Sequence, residues 1–237
     1  MFKRSCSSRL GGLLFLMMVA CALAKADSVS AITSSAALVS PDSFSWSQMG
    51  PDGTVIPSGA LVTSTSGTNQ ALIVFGGVTF SGLAQVQCPA SPCSANGGFN
   101  AGDTLIYTSD GTNANGPLAI FFANPVPGAG LEVQPSVPGA FTAEIQAFIN
   151  GSYTSVYSVN SDANGDPVFI GLSDLSGSNI SVIGVDVTNS NSNEQFYADT
   201  LFVGTPEPTS LLLLGSALAG IGLKRLRRRG AGSEDRG

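Results

Sequence analysis

Phe141-Thr-Ala-Glu-Ile-Gln-Ala-Phe-Ile149 runs into Asn150-Gly151, and Ser152-Tyr-Thr-Ser-Val-Tyr-Ser-Val159 follows. Phe141, Ala143, Ile145, Ala147 and Ile149 alternate with Thr142, Glu144, Gln146 and Phe148, the period of a strand with one buried face. Asn-Gly supplies the two positive-φ positions of a two-residue type I′ turn. The stretch therefore predicts a hairpin with Ile149 opposite Ser152 and Phe148 opposite Tyr153. Continued without interruption, that register sets Ile145 against Val156 and Ala143 against Ser158. The Phe141 face is the core side, because a one-residue slip would turn every apolar side chain to water.

Outward from the hairpin the same grammar repeats. Short β-branched or aromatic runs alternate with Gly, Ser, Thr, Asn and Asp. Candidate strands cover 44–49, 54–56, 71–75, 78–87, 104–108, 118–123, 131–134, 168–172, 180–187 and 196–203. Asp52-Gly53 is a second, weaker hairpin signal between Pro51 and Pro57. No amphipathic helix of useful length lies between residues 27 and 205, and no 20–50-residue period repeats. Many short antiparallel strands in some 180 residues predict one all-β domain, a β-sandwich or jelly roll, over 27–204.

Charge is partitioned along the chain. All ten Lys and Arg lie at the ends, from Lys3 to Lys25 and from Lys224 to Arg236, and there is no His. Thirteen of the sixteen carboxylates lie between Asp27 and Asp199, so the formal net charge of −6 hides a middle section near −13. A surface without cations cannot neutralise phosphates, which excludes nucleic acid as a partner. It also holds no His to activate a Ser or Cys nucleophile. Carboxylates remain as the general acids and bases, and a glycosidase would need two of them placed across a glycosidic bond. The composition points away from an enzyme.

Four cysteines are present. Cys6 and Cys21 fall in the leader described below. Cys88 and Cys93, in Cys88-Pro-Ala-Ser-Pro-Cys93, read as a disulfide in an exported domain, with a chain-entropy gain of about 2 kcal/mol for so short a loop. A structural zinc would call for more thiolates or His.

Other candidate sites each have a plain competitor. Asp162, Asn164 and Asp166 offer alternating oxygen ligands, as a Ca²⁺ loop does. Gly165 falls one position early for an EF-hand, Pro167 takes the glycine position, and Ser173 stands where a bidentate Glu belongs; the competing reading is an Asx-rich turn. Apart from that possible Ca²⁺, no cofactor is expected. Glu132, Asp186 and Asp199 would form a second calcium candidate if a sandwich brought them together. Trp46, Tyr153, Tyr157 and Tyr197 have flat faces that suit sugar rings, or are core residues. Asn150-Gly-Ser and Asn179-Ile-Ser match glycosylation sequons, and no regular Thr ladder of an ice-binding kind is visible.

The ends give the trafficking. Lys3, Arg4 and Arg9 precede an apolar run from Leu10 to Leu23, and Ala22-Leu-Ala24 and Ala24-Lys-Ala26 are small-x-small cleavage sites. Residues 1–26 are thus predicted to be a signal peptide for signal peptidase. At the other end Pro206-Glu207-Pro208 precedes the apolar run Ser210–Leu223 and the basic cluster Lys224, Arg225, Arg227, Arg228 and Arg229. Fourteen helical residues span about 21 Å against a hydrocarbon core of about 30 Å. A transmembrane segment over 210–223 is therefore short, with the basic cluster held on the cytoplasmic side and 230–237 as a polar tail.

Tripeptide, span and Arg run in this order over 205–229 resemble the PEP-CTERM sorting signal of Gram-negative bacteria, also called an ice-binding protein C-terminal domain, a name that does not establish ice binding. The resemblance implies recognition by an exosortase, a membrane-embedded cysteine transpeptidase-like enzyme, and cutting near Pro206–Pro208. Glu207 is then a recognition residue in a substrate. Residues 117–203, ending in Phe196-Tyr-Ala-Asp199-Thr-Leu-Phe with Thr200 where an Asn is usual, resemble the lectin-like sandwiches often joined to such tails. The expectation is an exported cell-surface or extracellular-matrix protein with a structural or adhesive role, in contact with exopolysaccharide. The alternatives are a carbohydrate-binding module and, after it, a carboxylate-dependent glycosidase.

Overall fold

The computed structural model describes residues 29–38, 41–75, 83–87, 98–100, 102–108, 117–174, 177, 180–189 and 192–205. Ala24, Ala26, Cys88, Cys93, Pro206, Glu207, Pro208, the 210–223 span and Lys224, Arg225, Arg227, Arg228 and Arg229 lie outside the described residues. No helix among the described residues is long and apolar enough to cross a membrane.

Two antiparallel sheets carry the fold. Strands are numbered in chain order. The first sheet holds β1 (Val29–Ile32), β2 (Asp42–Phe44), β3 (Val55–Pro57), β6 (Leu83–Gln87), β7 (Leu105–Tyr107), β9 (Gly128–Pro135), β13 (Val168–Asp174), β16 (Phe196–Ala198) and β17 (Leu201–Val203). Its order is β1-β13-β9-β16-β7-β6-β3, with β17 between β9 and β2. The second holds β4 (Ala60–Thr63), β5 (Gln70–Phe75), β8 (Leu118–Val126), β10 (Thr142–Ile149), β11 (Ser152–Tyr153), β12 (Tyr157–Asn160), β14 (Ile180–Asn189) and β15 (Ser192–Asn193), along β11-β10-β14-β8-β5-β4. β10 packs across β13 and β14 across β9. One apolar core fills the space between the sheets.

Phe141, Ala143, Ile145, Ala147 and Ile149 are all buried, as their alternation predicts. Asn150 (φ 49°) and Gly151 (φ 84°) turn the chain, and Ile149–Ser152 and Phe148–Tyr153 pair as expected. Beyond Tyr153 the register shifts by one: Ile145 pairs with Tyr157 and Ala143 with Val159. Thr154 causes the shift. Its Oγ1 accepts the Ala147 N–H (3.1 Å), its own N–H donates to the Ala147 carbonyl (2.8 Å), and Gln146 Nε2 donates to its carbonyl (2.7 Å). One residue is thereby inserted as a bulge. Tyr157 and Val159 then pack on the core, and Val156 is left exposed.

Two other expectations are corrected. Residues 44–49 are not one strand: β2 ends at Phe44, and Trp46–Met49 form a 3₁₀ turn. Ser45 Oγ accepts the Ser47 N–H (3.4 Å) and Gln48 Nε2 donates to the Ser45 and Thr63 carbonyls, so local side chains satisfy the backbone in place of a ladder. The turn drives Trp46 into the core, fully buried, where Nε1 donates to the Asp199 carbonyl at 2.8 Å. Asp52-Gly53 makes no hairpin either: β2 pairs with β17 and β3 with β6. β1, β4 and β15 were not predicted; β1 lies at the sheet edge on β13.

Candidate functional site

The outer faces of the two sheets differ. On the nine-stranded sheet, side chains roof the surface. Tyr107 stacks on Tyr197 with ring centroids 4.6 Å apart, the Tyr107 hydroxyl bonds to Gln195 Oε1, and Phe99 and Tyr197 pack on Leu105. Phe169 and Phe202 lie 6.3 Å apart, and a Cβ at Gly130 would come within 2.7 Å of the Phe169 ring.

Glu132 and Asp199 also lie on that side. Burial first, then Asp199 and Asp103, push the Glu132 carboxyl above its ordinary value. Burial likewise raises Asp199, with Asp103 adding to it and hydrogen bonds from Thr200 opposing. Asp186, the third member of the calcium trio, is on β14 in the other sheet, directly opposite Glu144. The sandwich separates the trio, and no metal-capable group of three forms among the described residues. Asp162 Oδ1 accepts the N–H groups of Asn164 (3.1 Å), Gly165 (2.9 Å) and Asp166 (3.0 Å), and Asn164 Nδ2 donates to Oδ2 (3.0 Å). These are the bonds of an Asx turn, and they hold the exposed Asp162 carboxyl below its ordinary value, the Asp166 N–H foremost.

On the eight-stranded sheet the outer face carries an exposed apolar row, and it is covered at Val74, which pairs with Ala119 on that same face and is buried. Leu61 pairs with Leu72, Leu72 with Phe121, Phe121 with Val182, Val182 with Phe148, and Phe148 with Tyr153. β4, β5, β8, β14, β10 and β11 thus each contribute one residue to a single row across the sheet. At about 4.8 Å between strands the row is about 24 Å long. Four of its six members are exposed, at 58% (Leu61), 37% (Leu72 and Phe121) and 70% (Tyr153), while Val182 and Phe148 are half-buried. Tyr153 meets Phe148 edge to face at 4.9 Å. Of the four aromatic candidates, this is the one presented to solvent: Trp46 is core, while Tyr157 and Tyr197 are half-buried.

Beside the row the next register is short: Ala119 pairs with Gly184 and Gly184 with Gln146. One register further, Glu144 faces Asp186. The result is a groove of about 210 Å³ lined by Pro117, Glu144, Gln146, Val156, Gly184 and Asp186. Burial raises the Asp186 carboxyl, and Glu144 adds to the rise against a backbone bond from Val187. Like charges directly opposite on neighbouring strands cost stability. Both carboxylates sit on one wall of the groove. Pairwise register across six strands made the row invisible in the sequence; only the Phe148–Tyr153 step was readable there.

The domain ends where the last strand closes. Gly204 N–H donates to the Gly128 carbonyl at 2.8 Å, and the family description of the PEP-CTERM protein-sorting motif matches residues 205–229. The chain carries a PEP-CTERM motif. The PEP-CTERM segment thus begins one residue after Gly204 and two after the end of β17 at Val203. No curated protein matches the chain. Among solved structures it is similar to a family 11 carbohydrate-binding module from Clostridium thermocellum, in complex with a β-1,3-1,4-mixed-linked tetrasaccharide. The TM-score is 0.28 and the identity 11%, over 70% of this chain and 96% of that one. A likeness at that level carries no argument; the two-sheet fold rests on the strand pairing itself.

Proposed function

We propose that this chain is an exported exosortase substrate whose β-sandwich serves outside the cell without catalysing a reaction. Signal peptidase removes residues 1–26 by cutting after Ala26, in the Ala24-Lys25-Ala26 site. The 210–223 segment then holds the precursor in the inner membrane, with Lys224, Arg225, Arg227, Arg228 and Arg229 on the cytoplasmic side. Exosortase cuts near Pro206-Glu207-Pro208, and the 27–204 domain passes to the cell surface or the extracellular matrix in a structural or adhesive role. The observation that carries this reading is the PEP-CTERM match at 205–229, set directly after the last strand.

The test is a Glu207→Ala variant with an epitope placed after Gly237. The native sequence should lose the epitope from its surface form, and the variant should keep it in the inner membrane. Equal loss from both would remove exosortase recognition.

A second reading, a carbohydrate-binding module, is favoured by the apolar row and its groove. Exposed apolar strips of this kind mark interaction sites, and flat apolar sugar faces match such a surface. Binding of any glycan to the native protein, and its loss on Tyr153→Ala or Phe121→Ser, would support it.

A further inference from the structure

The outer face of the eight-stranded sheet narrows the ligand further, resting on the carbohydrate-binding reading above. Three features meet there: an apolar row about 24 Å long, a parallel strip with a floor of Ala119 and Gly184, and a far wall formed by Glu144 and Asp186. Row and carboxylates are four residues apart along β10, about 14 Å, with Ala119 and Gly184 between them on β8 and β14 and Gln146, drawn to the Thr154 carbonyl, on β10. That is a short trough across β8, β14 and β10, closed at β5 where Val74 is buried, with room for a few sugar units beside the row.

Charge decides among the occupants. Residues 27–205 hold thirteen carboxylates and no Lys, Arg or His. A second copy of the domain, an anionic polysaccharide or an anionic lipid surface would all be repelled. A neutral glycan could offer Glu144 and Asp186 only hydroxyl donors, which leave the two like charges uncompensated. A cationic group in the trough would relieve the repulsion between those two side chains and form charge-assisted hydrogen bonds with them. We infer that the trough binds a polysaccharide bearing free amino groups, with sugar faces on the apolar row and ammonium groups against Glu144 and Asp186.

The test uses the full chain in non-ionic detergent and four hexasaccharides, of glucosamine, N-acetylglucosamine, glucose and galacturonate, with hexalysine alongside. Two variants probe the site. Gly184→Leu fills the trough without changing charge; a Cβ there meets nothing within 4 Å. Glu144→Gln with Asp186→Asn removes the anionic wall, and thermal melts confirm that both variants are folded. Calorimetry should show the glucosamine hexamer binding more tightly than the other three, more weakly as salt is raised. Its affinity should fall about tenfold or more in each variant. Neutral hexamers binding as tightly, with Gly184→Leu still abolishing it, would overturn the amine assignment and leave the carbohydrate reading standing. Binding indifferent to Gly184→Leu would overturn the site. Hexalysine binding with the same sensitivity, in place of the sugars, would make the occupant a basic peptide. No glycan bound at all would remove the carbohydrate reading itself.

Discussion

Asp42 is the residue on which a whole corner depends. It is buried, and its carboxylate accepts Ser66 N–H (3.1 Å), Ser66 Oγ (2.6 Å) and Asn69 Nδ2 (3.2 Å). Burial alone would raise its pKa; the hydrogen bonds from Ser64, Ser66 and Asn69 outweigh it and hold the group well below the usual range. A carboxyl depressed by folding stabilises above its unfolded value and loses that contribution as pH falls through the folded one. Asp42→Ala should cost about 1–3 kcal/mol, the penalty for stranding buried donors, in denaturant melts at pH 7. The gap from the native chain should close as pH drops below 3.8, the ordinary aspartate value.

Glu132 has the opposite sign. Its raised pKa means the unfolded chain ionises first, so its contribution is present below about pH 4.5 and lost as pH rises through the folded value. Glu132→Gln should therefore raise Tm at pH 7 and leave it unchanged at pH 4. None of this was legible beforehand. Asp42 finds its partners 24 and 27 residues away, whereas the Asx turn at Asp162 is local and was readable as one of two alternatives.

At the scale of elements, the hairpin shows what sequence pattern does and does not determine. Alternation gave the buried face of β10, and Asn150-Gly151 gave the turn, because both are local. The bulge at Thr154 was missed because a side chain competed for the backbone, although the apolar spacing of Tyr157 and Val159 already suited the shifted register. Gly151 has φ 84°, so Gly151→Ala should destabilise by about 1 kcal/mol. Gly130 shows a cost of another kind. It pairs with Gly171 and with Phe202, and an added Cβ would approach Gly171 Cα and the Phe169 ring within 2.7 Å. Gly130→Ala should cost about 1–3 kcal/mol through overpacking, read by thermal unfolding. The strands that went unpredicted, β1, β4 and β15, are only four, four and two residues long, too short to show a period.

For the whole molecule, two levels separate. The sorting motif over 205–229 is linear, and it was legible as written. The candidate binding face is assembled from six strands between Leu61 and Val182, and neither the row nor the trough exists until they pair. What unites the levels is charge: cations at the two ends, an acidic sandwich between. That distribution suits a domain carried across a membrane and released from its own basic anchor. Intact-mass measurement of the native protein recovered from the cell surface tests this most directly. The expected species begins near Asp27 and ends near Pro206–Pro208. A surface species that still carries Arg225–Gly237 would contradict it.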